Sequence, residues 1–248
     1  MSGMLYLLPA PLADRDVPAV LPPQTLEVAR RLDLFFAESA KTTRAYLKAV
    51  AHPRPIAELE IIEIGHQPDA ARIDGWLAKL GTRDAAIVSE AGCPGIADPG
   101  AELVARAHAL GIQVRPLVGP SALLLALMSS GLNGQAFRFV GYLPQDAAEL
   151  AARLRELERA SRSGETQVWI ETPYRNDRML DAVLANCAAD TRLCVAVDLT
   201  APTEAVNTRS IGGWKSLAPA QRPALHKRPA VFALLAAGRQ AGSGKGSR

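Results

Sequence analysis

A chain of 248 residues with 48% hydrophobic and 21% charged side chains can bury one large core or two small ones, which excludes a disordered or fibrous class. Its formal charge of +3 equals the contribution of Arg239, Lys245 and Arg248 in the last ten residues, so residues 1–238 sum to neutral; the total gives no support to a basic nucleic-acid-binding face, although a local patch at Arg222, Lys227 and Arg228 stays open. Three scattered cysteines (Cys93, Cys187, Cys194) exclude a disulfide frame and zinc spacing, His52, His66, His108 and His226 show no ligand spacing, and the expectation is a cytoplasmic protein without a structural metal.

The N-terminal run MLYLLPA (4–10) reads as a strand entering a proline-rich loop. Pro9 and Pro11 interrupt it and no basic start precedes it, so neither a signal peptide nor a membrane span fits. TLEVARRL (25–32) predicts a helix, LFFAE (34–38) a strand, SAKTTRAYLKAV (39–50) a helix capped by Ser39, EIIEI (60–64) a possible strand, and DAARIDGWLAKLG (69–81) a helix ended by Gly81. AAIVS (85–89), apolar and β-branched at its centre, predicts a buried strand. After it come a Gly/Pro loop and a helix with Asp98 as N-cap, Pro99 at its first position and Gly111 beyond its last turn. IQVRPLV (112–118) is the last strand of this half, and the alternation implies parallel βαβ units.

The second half reads as a very apolar helix at GPSALLLALMSSGL (119–132) beginning at Ser121, then a strand at 138–144. The Glu/Arg-rich helix at 146–164 reads as solvated and held by i,i+4 pairs. A strand at 166–173, a helix at 176–187 and strands at 192–200 and 228–237 follow, close enough in sequence to pair antiparallel. The expectation is two α/β domains, 1–118 and 119–237, with a cleft between them as the site and a disordered Gly/Ser-rich tail at 238–248.

The stretch VSEAGCPGIADPG (88–100) admits two readings on its own: a tight connection with a capping Asp, or a loop beyond a strand's carboxyl end whose small residues let a ligand reach the backbone. Its neighbours favour the second. LYLLPAPLAD, FFAESAKTTRAYLK, VSEAGCPGIADPG, RPLVGPSALLLALMSSGL, FVGYLP and IETPYR, in that order, resemble the bacterial S-adenosylmethionine-dependent methyltransferases that act on a ribose 2′-hydroxyl of small-subunit ribosomal RNA, a branch of the tetrapyrrole methylase superfamily.

The resemblance spans most of residues 4–236 and implies adenosylmethionine folded between two α/β domains. Carried to matching positions, the cofactor contacts are Pro9, Glu90, Ala91, Gly92, Cys93, Ile96, Ser121 and Ala122, with Thr172, Ala201 and Pro229 from the second domain. Arg44 and Arg175 match positions that hold substrate phosphate, although surface salt bridges account for them equally well. The resemblance, together with the apolar helix, also implies a homodimer.

A sulfonium already activates its methyl group, so catalysis is chiefly in-line placement, and a base serves only because a protonated hydroxyl is a poor nucleophile. Glu38, Asp198 and Glu204 are the candidates, each also readable as an ordinary loop or helix-start carboxylate. Cys93 reads as a small packing residue rather than a nucleophile. Two signatures depart from the family pattern. Glu-Asp-Thr-Arg is here Glu38-Ser39-Ala40-Lys41, and the Lys and His of Glu-Leu-Thr-Lys-x-His-Glu are here Ala201 and Thr203. A small-molecule methyltransferase and a non-catalytic cofactor-binding protein therefore remain beside the ribosomal RNA reading. The sequence lacks a GxGxG turn after its first strand and a GxSxG elbow, which disfavours a Rossmann methyltransferase and a serine hydrolase.

Overall fold

The computed structural model describes residues 3–13 and 17–238. The chain divides into two compact units, Met1–Ser121 and Ala122–Arg248. The tail expected to be disordered lies outside the described residues from 239 onward.

The first unit is built on β1 (Leu5–Leu8), β2 (Leu34–Ala37), β3 (Glu60–Glu63), β4 (Ala85–Val88) and β5 (Val114–Pro116), in the order β3-β2-β4-β1-β5. All four ladders are parallel. Such strands need crossover helices and are covered on both faces, which explains why LYLL, LFFA and AAIV are apolar throughout. Helices α1 (Pro23–Arg31) and α2 (Ala40–Ala49) pack Leu26, Ala29, Tyr46 and Leu47 against Tyr6, Leu8, Phe35 and Val88 on one face. On the other, α3 (Ile73–Ala78) and α4 (Ala101–Ala109) pack Trp76, Leu77, Leu103 and Ala107 against Leu5, Leu34, Phe36 and Ile87.

The strand order has a consequence for ligand binding. From β1 and β2 the chain moves toward the β3 edge, and from β3 and β4 it moves back toward β5, so the connections leaving the adjacent strands β1 and β4 diverge over opposite faces. A crevice opens at the carboxyl ends of such a strand pair. It is spanned here by Ala10 and Gly92, which exchange backbone hydrogen bonds of 2.9 and 3.0 Å.

The second unit has a mixed sheet, β6 (Phe137–Tyr142), β7 (Thr166–Glu171), β10 (Ala230–Leu235), β8 (Arg192–Val197) and β9 (Ala205–Ser210), in that order. β6 and β7 are parallel, and the β7/β10, β10/β8 and β8/β9 ladders are antiparallel, as the close strand spacing allows. One core gathers Trp169, Val195 and Phe232 with Leu154 of α6 (Ala147–Ser161), Val183 of α7 (Asn176–Asn186) and Trp214 of α8 (Ile211–Lys215); the Trp214 indole donates to the Leu193 carbonyl at 2.9 Å. α5 (Ala122–Ser130) contacts β7, β8, β9 and β10.

Several sequence expectations are corrected. Asp98 does not cap α4: the helix begins at Ala101 after Gly100, whose φ of 132° turns the chain, while the Pro99 carbonyl accepts from the Gly95 amide. α1 starts at Pro23 rather than Thr25, α3 stops at Ala78 short of Gly81, and α5 starts at Ala122 rather than Ser121. The strand expected over 192–200 ends at Val197, because Asp198 and Thr200 take positive φ values of 49° and 70°. β9 and α8 were not anticipated. α6 is not simply solvated: it buries Leu150, Leu154, Leu157 and even Glu158, and its ion pair Arg153–Glu156 is i,i+3 rather than i,i+4.

Candidate functional site

Because every strand of the first sheet points the same way, their carboxyl ends deliver Pro9, Glu38, His66, the 89–100 loop and the 117–121 segment to one edge. Small residues decide the backbone path there. Gly92 has φ 73°, and a Cβ on it would meet Leu12 Cδ2 at 3.2 Å. A Cβ on Gly119 would stand 2.6 Å from Pro9 Cγ and closer still to its Cβ. Beyond Gly92 the loop keeps a left-handed backbone at Gly95 and Ala97, leaves Glu90, Ala91 and Ile96 exposed and half-buries Cys93. The Cys93 thiol donates to the Pro120 carbonyl at 3.5 Å, and burial, with Asp98 nearby, pushes its pKa up. It is therefore held as a protonated thiol, in keeping with a packing role.

Glu38, one residue past β2, is buried and saturated. Its Oε2 accepts from the Glu90 amide at 2.8 Å and its Oε1 from His66 Nδ1 at 2.5 Å. His66 follows β3 after a left-handed Gly65, and Glu90 follows β4, so three adjacent strand ends build this cluster. Ligand atoms of Glu38, His66 and Glu90 lie within 4.8 Å of one another. Ligands on one ion at about 2.0–2.2 Å stand about 3 Å or more apart, so the Glu38–His66 contact is a hydrogen bond rather than half of a metal centre. Asp98 completes the group. Burial first, then the charges of Glu38 and Glu90, push its carboxyl up to about 6, against a hydrogen bond from Ser89 and the pull of His66.

In the second unit, β10 runs antiparallel to β7 and β8, with Ala230 opposite both Glu171 and Val197. Thr172, Asp198 and Pro229 consequently meet at one sheet edge, where the Asp198 amide donates to the Pro229 carbonyl at 3.0 Å. Asp198 points inward: its Oδ2 accepts from Arg228 Nε at 2.7 Å and Thr203 Oγ1 at 2.6 Å. Ala201 closes the same turn with its amide on the Asp198 carbonyl, and exposed Glu204 accepts from the Thr200 amide at 2.6 Å. Both carboxylates thus clamp their loop. Arg175 is paired with fully buried Glu171 at 2.9 Å. Arg44 is exposed on α2 with no ion pair among the described residues. Of the basic patch that the sequence left open, Arg228 is spent on Asp198, Lys227 lies over the Tyr174 ring and Arg222 approaches Asp181 at 3.8 Å.

Sequence reasoning passed over His66 and misassigned Asp98. The usable signal for His66 was its place two residues after a predicted strand, at the carboxyl edge, rather than its spacing from other histidines.

A parallel sheet with a switch point at β1/β4, and small-residue loops at its carboxyl edge, defines an α/β protein of the architecture in which ligands bind beyond the strand ends. Comparison with known proteins narrows the class. Residues 4–212 match the family of tetrapyrrole (corrin/porphyrin) methylases, and the chain belongs to that family. It is 33% identical over 175 residues to ribosomal RNA small subunit methyltransferase I of Pseudomonas aeruginosa, covering 70% of this chain and 58% of that protein. It is 31% identical over 198 residues to the Bacillus subtilis protein of the same name, covering 80% and 64%. The chain thus spans about three fifths of the length of these relatives. Among solved structures, the methyltransferase CobJ superposes with a TM-score of 0.60 at 18% identity over 95% of both chains. Uroporphyrin-III C-methyltransferase of Thermus thermophilus gives 0.54 at 18% identity, over 95% of this chain and 93% of the other; at such identities the likeness is one of fold.

Proposed function

We propose that this protein is an S-adenosylmethionine-dependent methyltransferase whose substrate is a ribose 2′-hydroxyl of small-subunit ribosomal RNA. The observation that carries the reading is the β1/β4 switch point with its bare backbone, in a chain whose relatives are ribosomal RNA methyltransferases. The residues present fit the cofactor. A zwitterion with a flat adenine asks for amides, carbonyls and apolar cover rather than opposing charges. Pro9, Ala91, Gly92, Cys93, Ile96 and Ser121 supply main chain and small or apolar side chains, with Glu90 at the rim. When bound, the sulfonium supplies an electrophilic methyl group. The protein's share is to bind it, exclude water and place the hydroxyl in line.

Exposed Arg44 is the available phosphate contact, whereas Arg175 must leave Glu171 to serve as one. No described helix is long and apolar enough to cross a membrane. Met128 and Leu124, 79% and 50% exposed on α5, support a homodimer, to be read by light scattering.

The test is calorimetry with adenosylmethionine, followed by incubation with radiolabelled cofactor and either ribosomal subunits or a small-molecule fraction from cells lacking the gene. Label in ribosomal RNA, with binding that weakens steeply as salt rises, is the expected result. Label confined to small molecules overturns the substrate, and absence of cofactor binding at millimolar concentration overturns the enzyme.

A further inference from the structure

We infer that His66 is the general base that takes the proton from the substrate hydroxyl, with Glu38 as the buried group that orients it. The inference rests on the methyl-transfer reading above. Glu38 itself is poorly placed to accept that proton, because its side chain is 5% exposed and both oxygens are engaged, one by the Glu90 amide and one by the imidazole. His66 is the reverse, with 76% of its side chain exposed while Nδ1 is tied at 2.5 Å to that carboxylate. A carboxylate oxygen accepts, so the ring proton belongs on Nδ1 and the lone pair on outward-facing Nε2. This is the division of labour in which a buried acid fixes the tautomer and direction of an imidazole whose far nitrogen does the chemistry.

Three features of the fold support the assignment. The dyad sits at the carboxyl edge, where β2, β3 and β4 end side by side and the 89–100 loop begins, so proton acceptor and proposed cofactor loop are joined through the Glu38–Glu90 hydrogen bond. Imidazole is the side chain that exchanges protons near neutral pH without special activation. The cation formed on proton uptake sits among Glu38 at the end of β2 and Glu90 and Asp98 after β4, the titratable groups that face it. The chemistry balances: the oxygen–carbon bond forms as the hydroxyl proton passes to Nε2, the carbon–sulfur electron pair stays on the sulfur of the methyl donor, and the imidazolium returns its proton to water. Asp198 and Glu204, the other carboxylates considered for this role, are committed to their own loop.

Two measurements test this. The first is the 15N shift pair of His66 in the protein without substrate or cofactor. Wild type is expected in the Nδ1–H form and Glu38→Gln in a mixture, while a wild-type ring protonated on Nε2 overturns the dyad. The second is turnover on labelled ribosomal subunits. His66→Ala removes an exposed ring but also the partner of one Glu38 oxygen, so its fold is checked by circular dichroism; it is expected to lower kcat about a hundredfold or more with KM within threefold. It should also lose the rise of kcat with pH and recover rate when free imidazole is added. Turnover of His66→Ala equal to wild type between pH 6 and 9 overturns the base. Wild-type protein that labels nothing overturns the underlying reading instead, and the control reaction separates the two failures.

Discussion

Replacing Gly119 with alanine puts a numerical demand on the β1/β5 side of the site. The new methyl would stand 2.6 Å from Pro9 Cγ and closer still to Pro9 Cβ, where carbon atoms in contact stay about 3.5–4.0 Å apart, so the two segments must part by at least about 1 Å. Neither yields easily. Pro9 is a rigid ring held between β1 and the Ala10–Gly92 bridge, and the 117–119 segment is tied by the Leu117 amide to the Leu7 carbonyl at 3.0 Å and by Thr25 Oγ1 to the Val118 carbonyl at 2.8 Å. A 1 Å separation stretches the first of these beyond hydrogen-bond reach. Overpacking costs about 1–3 kcal/mol and a lost hydrogen bond about 1 kcal/mol, together about 2–4 kcal/mol. At about 2–4 °C per kcal/mol in a chain of this size, the melting midpoint should fall by about 4–16 °C. Gly75→Ala is the control: nothing lies within 4 Å of its added Cβ and it sits inside α3, so a gain of up to about 1 kcal/mol is expected. Thermal unfolding of both variants by circular dichroism decides the matter. A Gly119→Ala midpoint within 1 °C of wild type refutes the packing argument.

Gly92→Val forces a β-branched residue to φ 73° against Leu12 and breaks the exchange with Ala10, so calorimetry should find adenosylmethionine binding abolished; unchanged affinity would move the site elsewhere. Asp98 holds its proton more tightly folded than unfolded, so its contribution is fully present below about pH 4 and is lost as pH rises through about 6. Asp98→Asn should accordingly raise the midpoint at pH 8 relative to wild type and leave it little changed at pH 4, and parallel stability curves for the two proteins would contradict this. Arg228→Ala leaves the largely buried Asp198 carboxylate with Thr203 alone and frees the Thr203 and Ala224 carbonyls, a loss of about 2 kcal/mol that denaturant titration can read.

What the sequence made legible follows from how each element is stabilised. The strands of the first unit announce themselves because both faces are covered, and the Ser39 cap is real because a side-chain oxygen meets the Thr42 amide within four residues. Asp98-Pro99 carried an equally strong start signal and misled, since Gly100, at φ 132°, makes the turn and takes the N-cap position ahead of Ala101. β9 escaped notice because AVNTRS has little apolar alternation; the strand exists through its ladder with β8. α6 looked solvated because its charges outnumber the leucines that it buries. The cluster at the strand ends was partly visible: Glu38 was singled out, but its partner His66, 28 residues on, is set by strand order, which local sequence does not encode.

The placement of β1 between β4 and β5 also dictates when the first unit can fold. Leu5 pairs with Ala85 and with Val114, so β1 has no neighbour until the third and fourth crossovers exist. Closing a loop of some 80 residues costs about 4 kcal/mol before any ladder bond repays it. At a synthesis rate of about 5–20 residues per second, LYLL waits roughly 5–20 s beside an incomplete sheet. During that interval its apolar side chains and unpaired backbone are open to the wrong strand. The crossing that opens the crevice thus makes this unit a late, cooperative folder, dependent on its own last strand.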